Sequence, residues 1–195
     1  MKTKIIALFF LSQLAFVAAW AQTYTVDASK STLNWKAEKL TGFHVGTIGL
    51  KSGSFKVANN KITAGSFIIN MTTITDTDLT DAEYNKKLTG HLSSPDFFDV
   101  AKFPEAVFTI TKPVDLSKTV TEVHGNLTIK GISKPLTFKA VVKKDGNSFL
   151  FHANSIVVDR TTYNIKYGSG SFFSDLGDKV IYDEFTIMLQ LFATQ

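Results

Sequence analysis

From Gln22 onward the chain alternates apolar and polar residues with a period of two. In STLNWKAEKL, Leu33, Trp35 and Ala37 fall on one face and Ser, Asn, Lys and Glu on the other, the pattern of a half-buried strand. In GSFKVANNKITAGSFIINMTTI, one alternating run carries Phe55 and Val57 and the next carries Phe67, Ile69 and Met71. Asn59-Asn60 lies between them, and Asn tolerates the positive φ of a tight turn, so the stretch predicts a hairpin. Further strands are expected over 24–27, 45–50, 105–111, 121–130, 135–144, 147–158 and 179–192. That makes about eight or nine strands, a number at which an antiparallel sheet closes on itself.

One stretch leaves this rhythm. TDAEYNKKLTGHLSSPDFFDVAKFP has helical spacing at Tyr84, Leu88 and Leu92. Ser94-Pro95-Asp96 then reads as a second helix start, with Ser as N-cap and Pro at the first helical position. Phe97 and Phe98 would begin on a short helix, and Phe103 and Phe108 would lead through Pro104 into a strand. The expected fold is all-β: an extended eight-stranded antiparallel barrel with a short helical insertion covering one end. Neither an internal repeat nor a linker divides the chain, so residues 22–195 are expected to form one domain.

The first residues, MKTKIIALFFLSQLAFVAAWAQT, join a basic start to an apolar run and Ala19-Trp20-Ala21. This is the pattern of a cleavable signal peptide, residues 1–21, and the run is shorter than the roughly 20 residues of a membrane span. The expected location is the periplasm. With Lys2 and Lys4 removed, the formal charge of +4 falls to +2, and no clustered basic face remains for nucleic acid. The chain has no Cys, which excludes disulfide staples, thiol chemistry and Cys-ligated zinc. Phe supplies 17 residues and Trp 2, a bias toward wholly apolar rings.

Five ordered segments, GFHVGTIGLKSGSF, HLSSPDFFDVAKFPEAVFTI, GNLTIKGISKPLTF, DRTTYNIKYGSGSFF and LGDKVIYDEFTIMLQL, resemble the YceI-like family of periplasmic polyisoprenoid-binding proteins, from about Tyr24 to the C-terminus. The resemblance implies a lipocalin-like barrel whose tunnel holds a long isoprenoid or fatty chain, in a family for which no catalytic activity is established in general. Where the family often has Asn-Arg-x-x-Trp/Phe-Gly, this chain has Asp159-Arg160-Thr161-Thr162-Tyr163-Asn164. The departure falls on the headgroup end of the implied site.

The candidate tail-binding residues are Trp35, Phe55, Phe67, Phe97, Phe98, Phe103, Phe108, Phe138, Phe149 and Phe151. The plainer reading of each Phe is core packing, because inward residues of small barrels fill the middle. The candidate headgroup residues are His44, Arg160 and Tyr163. Arg160 is the single Arg beside twenty Lys, so its position calls for the planar fork, either for a carboxylate such as Asp159, Asp178 or Asp183 or for a headgroup oxygen.

His44, His91, His124 and His152 form no ligand-spaced pair, and no metal or cofactor is expected. Asp76, Asp78 and Asp81 lack the Gly and Glu spacing of a calcium loop and read as caps and turns. GSGSFFSDLGD lacks a phosphate-loop ending, and Ser169 has no nucleophile elbow around it. The expected function is an exported, non-enzymatic carrier of a long-chain isoprenoid or related amphipathic lipid. Transient membrane contact and a homodimer are compatible with it. The rivals are an enzyme acting on such a lipid and a filled barrel serving stress or interaction.

Overall fold

The computed structural model of the protein describes residues 21–195, so the signal-peptide segment lies outside the described residues except for its last position. Ten strands follow: β1 (Gln22–Val26), β2 (Thr32–Lys39), β3 (Gly42–Ala58), β4 (Lys61–Asn70), β5 (Glu105–Ile110), β6 (Val114–Asp115), β7 (Val120–Ile129), β8 (Ile132–Asp145), β9 (Ser148–Asp159) and β10 (Ile181–Thr194). Eight of them, β2, β3, β4, β5, β7, β8, β9 and β10, pair in that order, and β10 pairs back onto β2 to close an antiparallel barrel. Closure leaves no long unpaired edge. β1 pairs with both β3 and β10, and β6 pairs with β4.

Alternation in sequence becomes alternation in burial. Along β7, Thr121, Val123, Gly125, Leu127 and Ile129 are buried while the residues between them are not, as a period-two pleat requires. The hairpin between β3 and β4 turns at Asn59 (φ 49°) and Asn60 (φ 57°), two left-handed residues that match the strand twist.

The sequence reading of 45–50 and the Phe55–Val57 run as separate strands is corrected: β3 is one continuous strand. Its first half pairs with β2 and its second half with β4 and β1. A register shift between Leu50 and Ser52 lets it bend from one partner to the next. Segment 73–77 takes the place of β4 beside the first half of β3. Thr75 N–H donates to the Thr47 carbonyl and Thr77 N–H to the Val45 carbonyl, both at 2.9 Å. Gly46 is required here, because a Cβ would stand 1.8 Å from the Thr75 carbonyl oxygen.

The helical insertion is α1 (Ala82–Ser93), capped by the Asp81 carboxylate, which accepts from the N–H groups of Glu83 and Tyr84. The expected second helix at Ser94 does not form. Ser94 instead closes α1, donating its N–H and its hydroxyl to the His91 carbonyl. Phe97 and Asp99 then return N–H bonds to the Ser94 carbonyl, and Asp99 is left-handed at φ 49°, which ends any helical run. Among the described residues no helix is long and apolar enough to cross a membrane.

Candidate functional site

Inside the barrel lies a cavity of about 210 Å³ lined by residues of all eight closing strands and of the insertion. On β10 alone the wall runs from Ile181 to Leu191. At roughly 3.3 Å per residue and a tilt near 40°, that is about 25 Å along the barrel axis. A void so long with so small a volume is narrow. Its wall is apolar except for Arg160, the indole of Trp35 and the phenol of Tyr182.

The two ends differ. At one end Tyr24 stacks on Phe55 (5.3 Å between centroids), and Phe149 and Phe151 pack edge-on against Phe55 at 5.8 and 5.5 Å. These four rings form an aromatic plug at that end. At the other end Leu92, Phe97 and Phe98 of the insertion form the wall. Phe97 packs on His91 and Tyr167, and Phe98 meets Phe185. Between the ends Phe108 of β5 meets Phe67 of the adjacent β4 at 6.3 Å and, across β7, Phe138 of β8 at 5.6 Å. Phe108 lies over Gly125, where a Cβ would meet its ring at 2.2 Å.

Of the candidate tail residues, Trp35, Phe55, Phe67, Phe97, Phe98, Phe108, Phe138 and Phe151 lie on the cavity wall, and Phe103 and Phe149 do not. Phe149 is 2% exposed and sits behind Phe55 and Phe151 in the plug. Phe103 packs against Gly131 outside the tunnel, with Lys102 over its ring. Trp35 donates its indole N–H to the Thr75 carbonyl at 3.0 Å, which fixes the ring under segment 73–77.

Arg160 reaches the wall but its donors are engaged. Nε donates to the Tyr182 carbonyl at 3.0 Å, Nη1 to the carbonyls of Ile165 and Tyr167 at 2.9 Å, and Nη2 to that of Ile181 at 2.9 Å. Asp183 stands 3.6 Å from Nη2. Of the expected carboxylate partners Asp183 is the one that approaches, while four backbone carbonyls supply the hydrogen bonds that hold the fork and tie the 165–167 loop to the start of β10. Burial lowers the Arg160 pKa against the opposing pull of Asp183 and Asp159. Burial raises Asp183, but the hydroxyls of Ser169 and Ser171 and the Arg160 charge outweigh it and hold its carboxyl below the ordinary value.

Tyr163 and His44 are absent from the wall. Tyr163 is buried, and burial, then Asp159, raises its phenol pKa. His44 sits at the rim, opposite the wall residue Ala37 of β2, and its Nδ1 lies 3.0 Å from Asp78 Oδ2. Sequence reasoning missed the aliphatic wall, including Ile48, Leu50, Ile69, Ile156 and Ile187, although their period-two spacing was the available signal. It also missed the approach of His44 to Asp76 and Asp78, for which local spacing offered none.

A YceI-like domain model matches residues 24–193. A UPF0312 protein of Vibrio parahaemolyticus is 33% identical over 134 residues, 67% of this chain and 68% of its own. A UPF0312 protein of Shewanella baltica is 32% identical over 143 residues, 72% of each chain. The crystal structure of Burkholderia cenocepacia BcnA superposes with a TM-score of 0.67 at 24% identity, covering 87% of this chain and 99% of BcnA. A polyisoprenoid binding domain from Saccharophagus degradans superposes at 0.62 with 17% identity, covering 88% and 97%. Those two structures share the barrel described above, and with the domain match running from β1 to β10, the chain belongs to the YceI-like family.

Proposed function

We propose that the protein is an exported carrier that holds one long-chain isoprenoid or related single-tailed lipid in the barrel tunnel. The observation that carries this reading is the tunnel itself, long, narrow and apolar. Burial of hydrocarbon contributes roughly 0.8 kcal/mol per CH₂, so each five-carbon unit adds on the order of 4 kcal/mol before ordering costs. Such a tail needs no charged grip. The width favours one tail over the two of a phospholipid, and the isoprenoid class draws support from the polyisoprenoid binding domain of Saccharophagus degradans. Binding rather than catalysis is favoured because no Ser, His, Asp or Glu lines the cavity among the described residues.

Loading from a membrane is part of the proposal. Leu40 (57% exposed), Phe43 (54%), Phe172 (48%) and Phe173 (50%) project into solvent from the β2–β3 hairpin and from the loop that precedes β10. Leu40 is tied to this region by its N–H bond to the Val180 carbonyl. Lys36 and Lys166 lie over the rings of Phe43 and Phe172 at 5.0 and 4.5 Å. Apolar tips beside basic groups suit an anionic lipid surface. Mass spectrometry of an organic extract of the natively exported protein tests the reading. One isoprenoid chain per protein is expected. Extracts without lipid, together with no uptake of a polyprenol added to the purified protein, would leave the filled barrel as the better account.

A further inference from the structure

At the rim of the tunnel His44 of β3 meets Asp76 and Asp78 of the segment that leads into α1. His44 Nδ1 lies 3.0 Å from Asp78 Oδ2 and 3.8 Å from Asp76 Oδ2, and one potential ligand atom from each residue falls within 4.8 Å of the other two. The remaining carboxylate oxygens are already held. Asp78 Oδ1 accepts the Val45 N–H at 2.7 Å. Asp76 Oδ1 accepts the Leu79 N–H at 2.9 Å and the Asn85 side-chain amide at 3.1 Å. Each carboxylate is thus oriented by protein N–H groups and turns its other oxygen toward the imidazole, as outer partners orient metal ligands.

Asp76 Oδ2 is the observation that asks for more than an ion pair. Its side chain is 0% exposed, and the oxygen has no hydrogen-bond partner. A buried carboxylate oxygen facing a second carboxylate is costly unless something positive stands between them. His44 Nδ1 meets Asp78 at 3.0 Å, but 3.8 Å is too long for a hydrogen bond to Asp76.

We propose that His44, Asp76 and Asp78 bind one first-row divalent cation of the Zn²⁺ type, with solvent completing its shell. One imidazole nitrogen and two carboxylate oxygens suit that class. They are too few oxygens for Ca²⁺, which takes six to eight. The cation would join β3 to the stretch anchored on α1 through Asn85, and so fasten the lid of the tunnel. This inference is independent of the lipid reading, since the site uses no cavity-wall residue.

The test is calorimetric titration of Zn²⁺ into the untagged, chelator-treated protein, with Ca²⁺ and Mg²⁺ in parallel and thermal melts alongside. One Zn²⁺ per chain is expected, with a melting temperature raised by roughly 5 °C or more at hundredfold excess over Kd. His44→Ala and Asp76→Asn should each lower affinity at least about tenfold. In Asp76→Asn the side-chain carbonyl keeps the Leu79 and Asn85 bonds and the amide faces Asp78. This variant should therefore melt above wild type without metal and lose the Zn²⁺ shift. No Zn²⁺ binding, or binding that survives both substitutions because the surface histidines supply it, would overturn the proposal. Asp76→Asn melting below wild type with its Zn²⁺ shift intact would do the same.

Discussion

Replacing Arg160 with Lys separates a structural fork from a headgroup donor. The guanidinium makes four hydrogen bonds of 2.9–3.0 Å from three nitrogens, two to the loop carbonyls of Ile165 and Tyr167 and two to the β10 carbonyls of Ile181 and Tyr182. An ammonium donates from a single atom and can serve the loop pair or the strand pair, not both. Two buried carbonyls then lose a charged donor, each at about 1.5 kcal/mol, the lower end for such bonds. The sum of about 3 kcal/mol corresponds to a fall of roughly 6–12 °C in Tm for a chain of this size. Circular-dichroism melts of delipidated wild type and Arg160→Lys measure it. Fluorescence titration of both proteins with a polyprenyl phosphate and a bare polyprene of equal length completes the assay. The expected result is a lower Tm with equal, small affinity changes for the two lipids. A Tm within about 2 °C of wild type would refute the clamp reasoning. A loss confined to the phosphate-headed lipid would refute the purely structural reading of the fork.

Three further outcomes follow from the same geometry. Ala140 lies on the cavity wall and is 2% exposed, so Ala140→Phe should abolish co-purification of lipid at a stability change of no more than about 1–3 kcal/mol, read by extract mass spectrometry and melts. The Asp183 carboxyl is held below its ordinary value when folded. Its stabilisation is therefore present above the unfolded pKa near 3.9 and is lost as pH falls through the folded value. The Tm difference between wild type and Asp183→Asn should accordingly be largest near neutrality and shrink below about pH 4. Phe43→Ser with Phe172→Ser removes two exposed rings and should slow polyprenol transfer from anionic vesicles severalfold while leaving Kd in detergent solution unchanged.

Much of the barrel was legible because inside and outside alternate in a strand. The runs that became β7 and β9 carried their burial pattern in the order of their residues, and Asn59-Asn60 announced a turn that only residues tolerant of positive φ make readily. The single Arg among twenty Lys marked a place where a planar fork was required, although not what the fork held. Local pattern failed where a neighbour distant in the chain decided the outcome. β3 reads as two pieces, but pairing with β2 and then with β1 and β4 makes it one bent strand. Ser94-Pro95 has the chemistry of a helix start, yet the Ser94 hydroxyl finds the His91 carbonyl and ends α1 instead.

The division is sharpest among the Phe residues and at His44. Periodicity states that Phe55, Phe67, Phe108, Phe138, Phe149 and Phe151 alternate with outward positions, and it is silent on their height along the barrel axis. Only strand tilt and register bring Phe55, Phe149 and Phe151 together with Tyr24 as a plug, while Phe67, Phe108 and Phe138 stay along the wall of an open tunnel. His44 and Asp78 are 34 positions apart and carry no shared motif. Sequence determined that a lone His and short acidic turns would exist, because residue type and spacing act locally. Closure of the barrel determined that they would meet, because the laying of segment 73–77 along β3 is a long-range pairing that no local pattern encodes.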